Sequence, residues 1–230
     1  MTEESQDTEM DEFPFSPTLQ DRLYNGVIRM DPLDTINEYL NQYQPTSCPY
    51  TIQVDSQTHP HNRNPNTSLE PFIDAASEYI NTTVNDTIIE WKHGIYKRKK
   101  SDIGMEASQH IIELAIEYKV TEGKWMLDIS PNQVDTIWNI LALATYQSIL
   151  GPKITVTYLP SRRIYHIDIY TVDFTDIDDV DRVLKEVRRL GLEEWGLRPL
   201  GYKPCCFSML GIRFGNVWGI DTILYRQNEE

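Results

Sequence analysis

Two alternating segments separated by a very short connection constrain the fold of this chain most strongly. In the segment 153–159, Ile154, Val156 and Tyr158 alternate with other residues, and a second segment spans 163–171. Alternation with a period of two is typical of β-strands that bury one face. The few residues between the segments include a proline and predict a tight turn. Strands joined in this way pair antiparallel, because parallel strands need a long crossover connection.

Several other segments predict strands. These are 123–129, 200–203, 206–213 and 217–225, and residues 88–96 suggest a further strand or an interrupted hairpin. The last two strands are predicted to form a hairpin. Short turns join neighbouring strands, and helices do not alternate one-for-one with them. We therefore predict an α+β fold, in which a mostly antiparallel sheet carries its helices on one face.

Five stretches have apolar residues at helical spacing. Asp31-Pro32 predicts the start of the first helix, and the periodicity continues over 69–80 and 104–119. Capping signals at Ser130–Gln133 and Thr175–Asp178 predict the remaining two helices.

The composition divides the chain into three parts. Residues 1–20 are acidic and then rich in proline, which predicts a disordered tail. Residues 21–84 are predicted to be a helical extension, with a long loop at 44–68 where Pro, Asn, Thr, Ser and His are frequent. Residues 85–227 carry most of the strand signals and are predicted to form the α+β domain.

The charge and cysteine content exclude several classes of protein. The net charge is −14, and the first twelve residues contain six acidic and no basic side chains, the reverse of a signal peptide. No run approaches the roughly 18 apolar residues of a membrane span. Three cysteines form neither a disulfide framework nor a zinc spacing. We therefore expect a cytoplasmic or nuclear protein that is not secreted and contacts no membrane.

Catalytic motifs are absent from the sequence. It has no phosphate loop, no Rossmann glycine pattern and no nucleophile elbow. The acidic run from Asp173 to Asp181 lacks the spacing of a calcium loop and is explained by helix capping. We predict no catalytic residue, metal or cofactor, and hence a binding module and not an enzyme. An enzyme that uses Cys205 or Cys206 as a nucleophile is a less favoured hypothesis.

Aromatic and basic residues near strand ends are the candidates for ligand binding. Trp125 and Trp138 are interpreted as core, whereas Trp91, Tyr170 and Trp218 are candidates for stacking on a base. A local basic pocket is compatible with the acidic chain, although wide nucleic-acid binding is not. The basic candidates for holding phosphate are Lys97, Arg98, Arg162, Arg163, Lys203 and Arg213. For the run 97–100, a solvated loop tip is the slightly favoured interpretation over phosphate binding.

Five short motifs appear in the order Gly123-Lys124-Trp125, a helix with Trp138, Ile167-Asp168-Ile169-Tyr170-Thr171, Arg189-Leu190-Gly191-Leu192 and Leu200-Gly201-Tyr202. This order resembles the cap-binding translation initiation factor 4E family. The resemblance implies a curved, mostly antiparallel sheet, with helices on its convex face and an open concave face.

A second set of motifs is similar to a domain of unknown function, the family that includes the basophilic leukaemia-expressed protein. The resemblance spans about residues 85–226 and rests on Gly123-Lys124-Trp125, Tyr170-Thr171, Asp173-Phe174-Thr175-Asp176, Arg188-Arg189-Leu190-Gly191, Tyr202-Lys203-Pro204, Leu210-Gly211-Ile212, Asn216 and Trp218-Gly219. It implies the same 4E-like fold.

The chain departs from initiation factors at the cap-binding positions. Those factors sandwich a methylated guanine between two Trp rings, but residues 104–122 here contain no Trp. Tyr170 stands where the family has a Trp that contacts the methyl group, and Trp91 matches the first cap tryptophan only loosely. Arg162 and Arg163 lie near the family's phosphate-binding loop. The resemblance thus implies the 4E-like fold and an open binding face. It does not extend to activity in translation initiation.

Two functions remain open on these grounds. The first is the binding of a nucleotide or RNA on the concave face of the sheet. The second is a protein-interaction or scaffold domain without a small ligand, which the acidic tail and the loop 44–68 favour. The oligomeric state is not predicted.

Overall fold

The structure is a computed structural model that describes residues 23–31, 34–58, 68–94, 99–191 and 201–226. Within these ranges eight strands form one sheet: β1 (Leu23–Tyr24), β2 (Val27–Arg29), β3 (Thr51–Asp55), β4 (Gly123–Ile129), β5 (Lys153–Leu159), β6 (Ile164–Thr171), β7 (Gly201–Pro204) and β8 (Tyr225–Arg226). Their order across the sheet is β1-β2-β3-β5-β6-β4-β7-β8.

Seven helices accompany the sheet in the same ranges: α1 (Ile36–Gln42), α2 (Leu69–Tyr79), α3 (Asn85–Lys92), α4 (Lys100–Glu117), α5 (Val134–Tyr146), α6 (Ile177–Arg189) and α7 (Cys205–Met209). A π-turn, Ile80–Val84, joins α2 to α3 without a break. None of the described helices is both long enough and apolar enough to cross a bilayer.

The sheet is mixed but almost entirely antiparallel. Only β2 and β3 pair in parallel, and the other six pairings are antiparallel. The predicted α+β class, the mostly antiparallel sheet and the strands at 123–129 and 153–159 are thereby confirmed. The predicted hairpin partner of β5 is also present, as β6.

One face of the sheet is apolar and packs against helices. On β4, Trp125, Leu127 and Ile129 are almost fully buried. The indole of Trp125 donates a hydrogen bond to the carbonyl oxygen of Val180 at 3.0 Å, so α6 lies on this face. Fully burying an aromatic ring stabilises the fold by about 1.5–3 kcal/mol, and the hydrogen bond satisfies its only polar atom. Trp125 is therefore a core residue, as predicted.

Helix α6 forms where the capping signal predicts it. The Asp176 carboxylate accepts a hydrogen bond from the backbone N–H of Asp179 at 3.1 Å, which satisfies one of the free donors of the first turn. Arg188 and Arg189 in the last turn complement the helix dipole. The predicted capping box at Ser130 is wrong, because its hydroxyl binds the Gln133 side chain and α5 begins only at Val134.

The N-terminal part of the chain contributes strands to the same sheet. Residues 44–68 contain β3 in addition to a short 3-10 turn, so the prediction of one long loop is wrong. Residues 59–67 of that segment lie outside the described ranges, as does the predicted tail 1–20. The predicted cap at Asp31 is also wrong. Helix α1 is capped by Thr35, whose hydroxyl accepts from the Glu38 backbone N–H.

Two predicted strands are helices in the structure. Residues 85–92 form α3, where Ile88 is buried, although Ile88, Ile89 and Trp91 are strand-favouring side chains. The packing of α3 against α4 overrides that weak preference. The predicted strand 206–213 begins instead with α7, so the hairpin expected after it does not form.

Close backbone packing holds the loop before β8 against α4. Gly104 lies on α4, and a Cβ atom at this position would overlap the carbonyl oxygen of Gly219. Only glycine allows the helix and the loop to approach this closely.

We predict that Gly104→Ala destabilises the protein, although it raises helix propensity by about 1 kcal/mol. The clash with the Gly219 backbone outweighs that gain, and we expect a net loss of roughly 1–3 kcal/mol in urea unfolding. The control is Met105→Ala at the next position, where the side chain is 67% exposed and the change should stay within about 0.5 kcal/mol. A Gly104→Ala protein as stable as the wild type would contradict this packing.

Candidate functional site

The second face of the sheet is polar over five adjacent strands. Lys124, Met126 and Asp128 alternate along β4 with the buried apolar residues of the first face. The antiparallel register places them directly opposite Tyr170, Asp168 and His166 on β6. We call this surface the polar face; its other members are Gln53 on β3, Lys153 and Thr155 on β5, and Lys203 on β7.

Three lysines and one tyrosine lie side by side across the middle of the polar face. Lys124 pairs with Tyr170 on one side and with Lys203 on the other. The Lys153 ammonium lies 3.8 Å from the centre of the Tyr170 ring. We call Lys153, Tyr170, Lys124 and Lys203 the lysine row. Lys153 and Lys203 are each more than nine-tenths buried, which is unusual for lysine and requires compensating interactions.

Tyr170 is the aromatic residue of the lysine row. The ammonium nitrogens of Lys153 and Lys124 lie 3.8 Å and 5.4 Å from the centre of its ring, both within cation–π distance. Burial raises the pKa of its hydroxyl, and the negative charge of Asp168 acts in the same direction. The phenol is therefore neutral over the physiological pH range, and the ring acts as a support for ammonium groups.

A chain of ion pairs crosses the polar face beside the lysine row. Lys124 contacts Asp168 at 2.6 Å, and Asp168 lies 3.1 Å from His166. His166 contacts Asp128 at 2.7 Å, and Asp128 accepts a hydrogen bond from Arg162 at 2.7 Å. Each buried charge thus faces an opposite charge, which offsets the cost of removing it from water.

The pKa values of these groups follow from that arrangement. Burial acts to lower the pKa of His166, but hydrogen bonds and charges from Asp128 and Asp168 outweigh it and raise the value to about 9. The pKa of Asp128 is lowered, chiefly by its hydrogen bond to His166. Burial opposes ionisation of Asp168, yet His166 and Lys124 keep its pKa below the usual value. His166 is therefore an imidazolium at neutral pH.

Lys153 and Lys203 are stabilised differently. The Lys153 ammonium lies 3.3 Å from the Glu122 carboxylate. Lys203 donates to the backbone carbonyl of Ile212 at 2.8 Å. Burial lowers the pKa of Lys203, and the positive charge of Lys124 adds to this effect.

The structure brings only some of the predicted site residues to the polar face. Tyr170 and Lys203 lie on it, and Arg162 reaches it from the β5–β6 turn through Asp128. Arg163 lies in the same turn, where it is exposed and has a φ of +54°. Arg213 is exposed in the loop that follows α7.

The two candidate tryptophans do not lie on strands of the sheet. Trp91 is half-buried near the end of α3 and packs against the core. Trp218 lies in the loop before β8, and its indole donates to the side-chain oxygen of Asn85 at 2.7 Å. Lys97 and Arg98 lie outside the described residues.

The sequence reasoning missed most of the charged residues of the polar face. Lys124, Lys153, His166 and Asp168 were not among the candidates. The alternation along the strands could have identified them, because Lys124 and Asp168 occupy positions between buried apolar residues. Charged side chains in such positions on an inner strand mark the second face of the sheet.

The structure also locates the two cysteines considered as nucleophiles and the potential metal ligands among the described residues. Cys205 and Cys206 are both buried on α7, and burial raises the pKa of the Cys206 thiol to about 12 and that of Cys205 well above its usual value. Such thiols are poor nucleophiles at neutral pH. No group of three His, Cys, Asp or Glu side chains within the described ranges converges as a set of metal ligands.

Comparison with known protein families identifies a match over most of the chain. A family model described as basophilic leukemia-expressed protein Bles03 matches residues 31–211. The matched region includes the whole lysine row and the ion pairs beside it. It ends just before Ile212 and Arg213.

We predict that His166 makes the stability of the protein depend on pH. Because its folded pKa of about 9 exceeds the unfolded value of 6.5, its contribution is complete below about pH 6.5 and is lost as the pH rises through 9. The stability advantage of the wild type over His166→Gln should therefore shrink by on the order of 3 kcal/mol between about pH 6 and pH 9.5.

Chemical denaturation at a series of pH values measures this difference. The pKa values of Asp128 and Asp168 are lowered, so their contributions are lost only as the pH falls towards 4, below the range tested. His93→Gln at the exposed end of α3 controls for the loss of a histidine. An advantage that stays constant over the whole range would contradict the ion-paired state of His166.

Proposed function

The chain belongs to the family of the basophilic leukemia-expressed protein Bles03, and we propose that it is a binding module, not an enzyme, whose polar face takes a nucleotide or an RNA end. The observation that carries this proposal is the lysine row. A chain with a net charge of −14 aligns three lysines on neighbouring strands around one tyrosine. Asp168 and Glu122 offset the charges of Lys124 and Lys153, whereas Lys203 contacts no carboxylate within the described residues. A bound anion would offset this remaining positive charge.

We also propose that the fold is 4E-like. Six antiparallel pairings in an eight-stranded sheet, with a helix packed on its apolar face, agree with that fold. The motif residues fall on corresponding elements, since Gly123–Trp125 begins β4 and Tyr202 lies on β7. Under this proposal the polar face corresponds to the concave face, where 4E proteins hold their ligand.

A protein-interaction domain is the second candidate function. Phe214 is 96% exposed and Val217 is 64% exposed, both in the loop before β8. A fully exposed phenylalanine beside a second exposed apolar side chain is unfavourable in water and is common at protein contacts. This loop follows the family-matched region, residues 31–211.

The nucleotide proposal predicts a localised change in methionine NMR spectra. Met126 lies on the polar face between Asp168 and Gly201, whereas Met105 is exposed on α4. With methyl-labelled methionine, titration with nucleoside triphosphates, cap analogues or short RNA should shift the Met126 signal and leave Met105 unchanged. Absence of any shift with all of these ligands, together with no heat in calorimetry, would overturn the proposal.

The partner proposal predicts a loss of contacts on replacing Phe214. In cells, proximity labelling with Phe214→Ser should lose neighbours that the wild type retains, because the variant removes most of the exposed apolar area of the loop. Val172→Ser is the matched control, since Val172 is 59% exposed between β6 and α6. Identical neighbour sets for all three proteins would remove the protein-interaction alternative at this loop.

A further inference from the structure

We propose that the ligand is held mainly through a phosphate group, which binds between Lys203 and Arg213 at the β7 end of the lysine row. This inference rests on the proposed binding function and names the chemical class of the ligand. It identifies a compact phosphate or polyphosphate as the part that is recognised, with any attached base contributing less.

Lys203 is the lysine of the row that has no acidic partner. Lys124 contacts Asp168 and Lys153 contacts Glu122, each within 3.3 Å. Lys203 binds only the carbonyl oxygen of Ile212, and no carboxylate of the described residues lies within ion-pair distance of its ammonium. A carbonyl satisfies one of the three ammonium donors and neutralises none of its charge. The remaining donors are available for an anion.

The backbone of Arg213 lies next to the Ile212 carbonyl that holds the Lys203 ammonium. Within the described part of the chain, the Arg213 guanidinium has no ion pair. Arg213 is exposed at the surface, whereas Lys203 is buried on β7. The charge of Arg213, like that of Lys124, opposes the protonated state of Lys203 and lowers its pKa. A bound anion would relieve this repulsion.

The two side chains suit phosphate in different ways. A guanidinium offers parallel donors that match two phosphate oxygens, whereas an ammonium acts as a point charge. Phosphate is preferred over a carboxylate because it carries enough charge to neutralise two cations. The charge of Asp168 raises the pKa of Lys203 and partly offsets the repulsion from the other cations, but Asp168 makes its direct contacts with Lys124 and His166.

The surroundings of the Tyr170 ring argue against a nucleobase as the part of the ligand that is mainly recognised. The Lys153 ammonium lies 3.8 Å from the ring centre and occupies one face of the ring, where a stacked base would have to lie. The predicted alternatives, Trp91 and Trp218, lie on α3 and in the loop before β8, with the Trp218 indole bound to Asn85. A base therefore finds no free aromatic platform among the described residues of the lysine row.

Calorimetry with the full chain tests this inference. The probes are sodium tripolyphosphate, which has no base, guanosine, which has no phosphate, and guanosine triphosphate. We expect tripolyphosphate and guanosine triphosphate to bind and guanosine not to bind. Lys203→Met and Arg213→Gln should each weaken tripolyphosphate binding by about tenfold or more, as the loss of one charge-assisted contact predicts.

Lys185→Met is the matched control, because it removes one positive charge at an exposed position of α6 and should leave the affinity unchanged. Arg213 is exposed, so its variant is expected to fold even if Lys203→Met does not.

Three other outcomes would contradict the phosphate site, the binding function or both. If guanosine binds and tripolyphosphate does not, phosphate recognition is wrong while the binding function stands. If all variants bind tripolyphosphate equally, the phosphate lies elsewhere and the assignment to Lys203 and Arg213 is wrong. If tripolyphosphate, guanosine triphosphate and short RNA all fail to bind, both this inference and the nucleotide proposal are overturned.

Discussion

The antiparallel pairing of β4 with β6 is the constraint on which the rest of the structure depends. Seven residue pairs, from Gly123 with Thr171 to Ile129 with Tyr165, set the register. Because side chains alternate between faces, this one register places Trp125 in the core and Lys124 beside Tyr170. A slip of one residue would exchange the two faces and bury the charged side chains against the helices. The apolar core therefore also determines the geometry of the polar face.

On the polar face, ion pairs allow charged side chains to be buried in the sheet. Asp168 accepts a hydrogen bond from Lys124 and lies next to His166. These contacts keep the three side chains charged although they are buried. Such networks rarely stabilise a protein more than apolar packing would, so the ion pairs are weak evidence for a purely stabilising role. At the β7 end, neither Lys203 nor Arg213 makes an ion pair within the described ranges, and the charges of Lys124 and Arg213 lower the pKa of Lys203. This imbalance is what the proposed phosphate site uses.

Sequence reasoning succeeded where one local pattern dominated. The alternation in 123–129 and 153–159 and the cap at Asp176 each specify their element without distant contacts. It failed at 85–92, where strand-favouring residues continue a helix through a π-turn, and at α7. Tertiary packing decides these segments, and local propensity is too weak to oppose it.

The sequence alone determined the α+β class, the central antiparallel strands and the excess of acidic charge, and it identified Arg162, Tyr170 and Lys203 as candidates that lie on or reach the polar face. These follow from periodicity and composition, which are local properties. Only the tertiary structure decided that Lys153, Tyr170, Lys124 and Lys203 form one row, since β4 and β7 are distant in the chain from each other and β7 is distant from the β5–β6 hairpin. Strand register is set by contacts between distant segments, and no single segment contains that information.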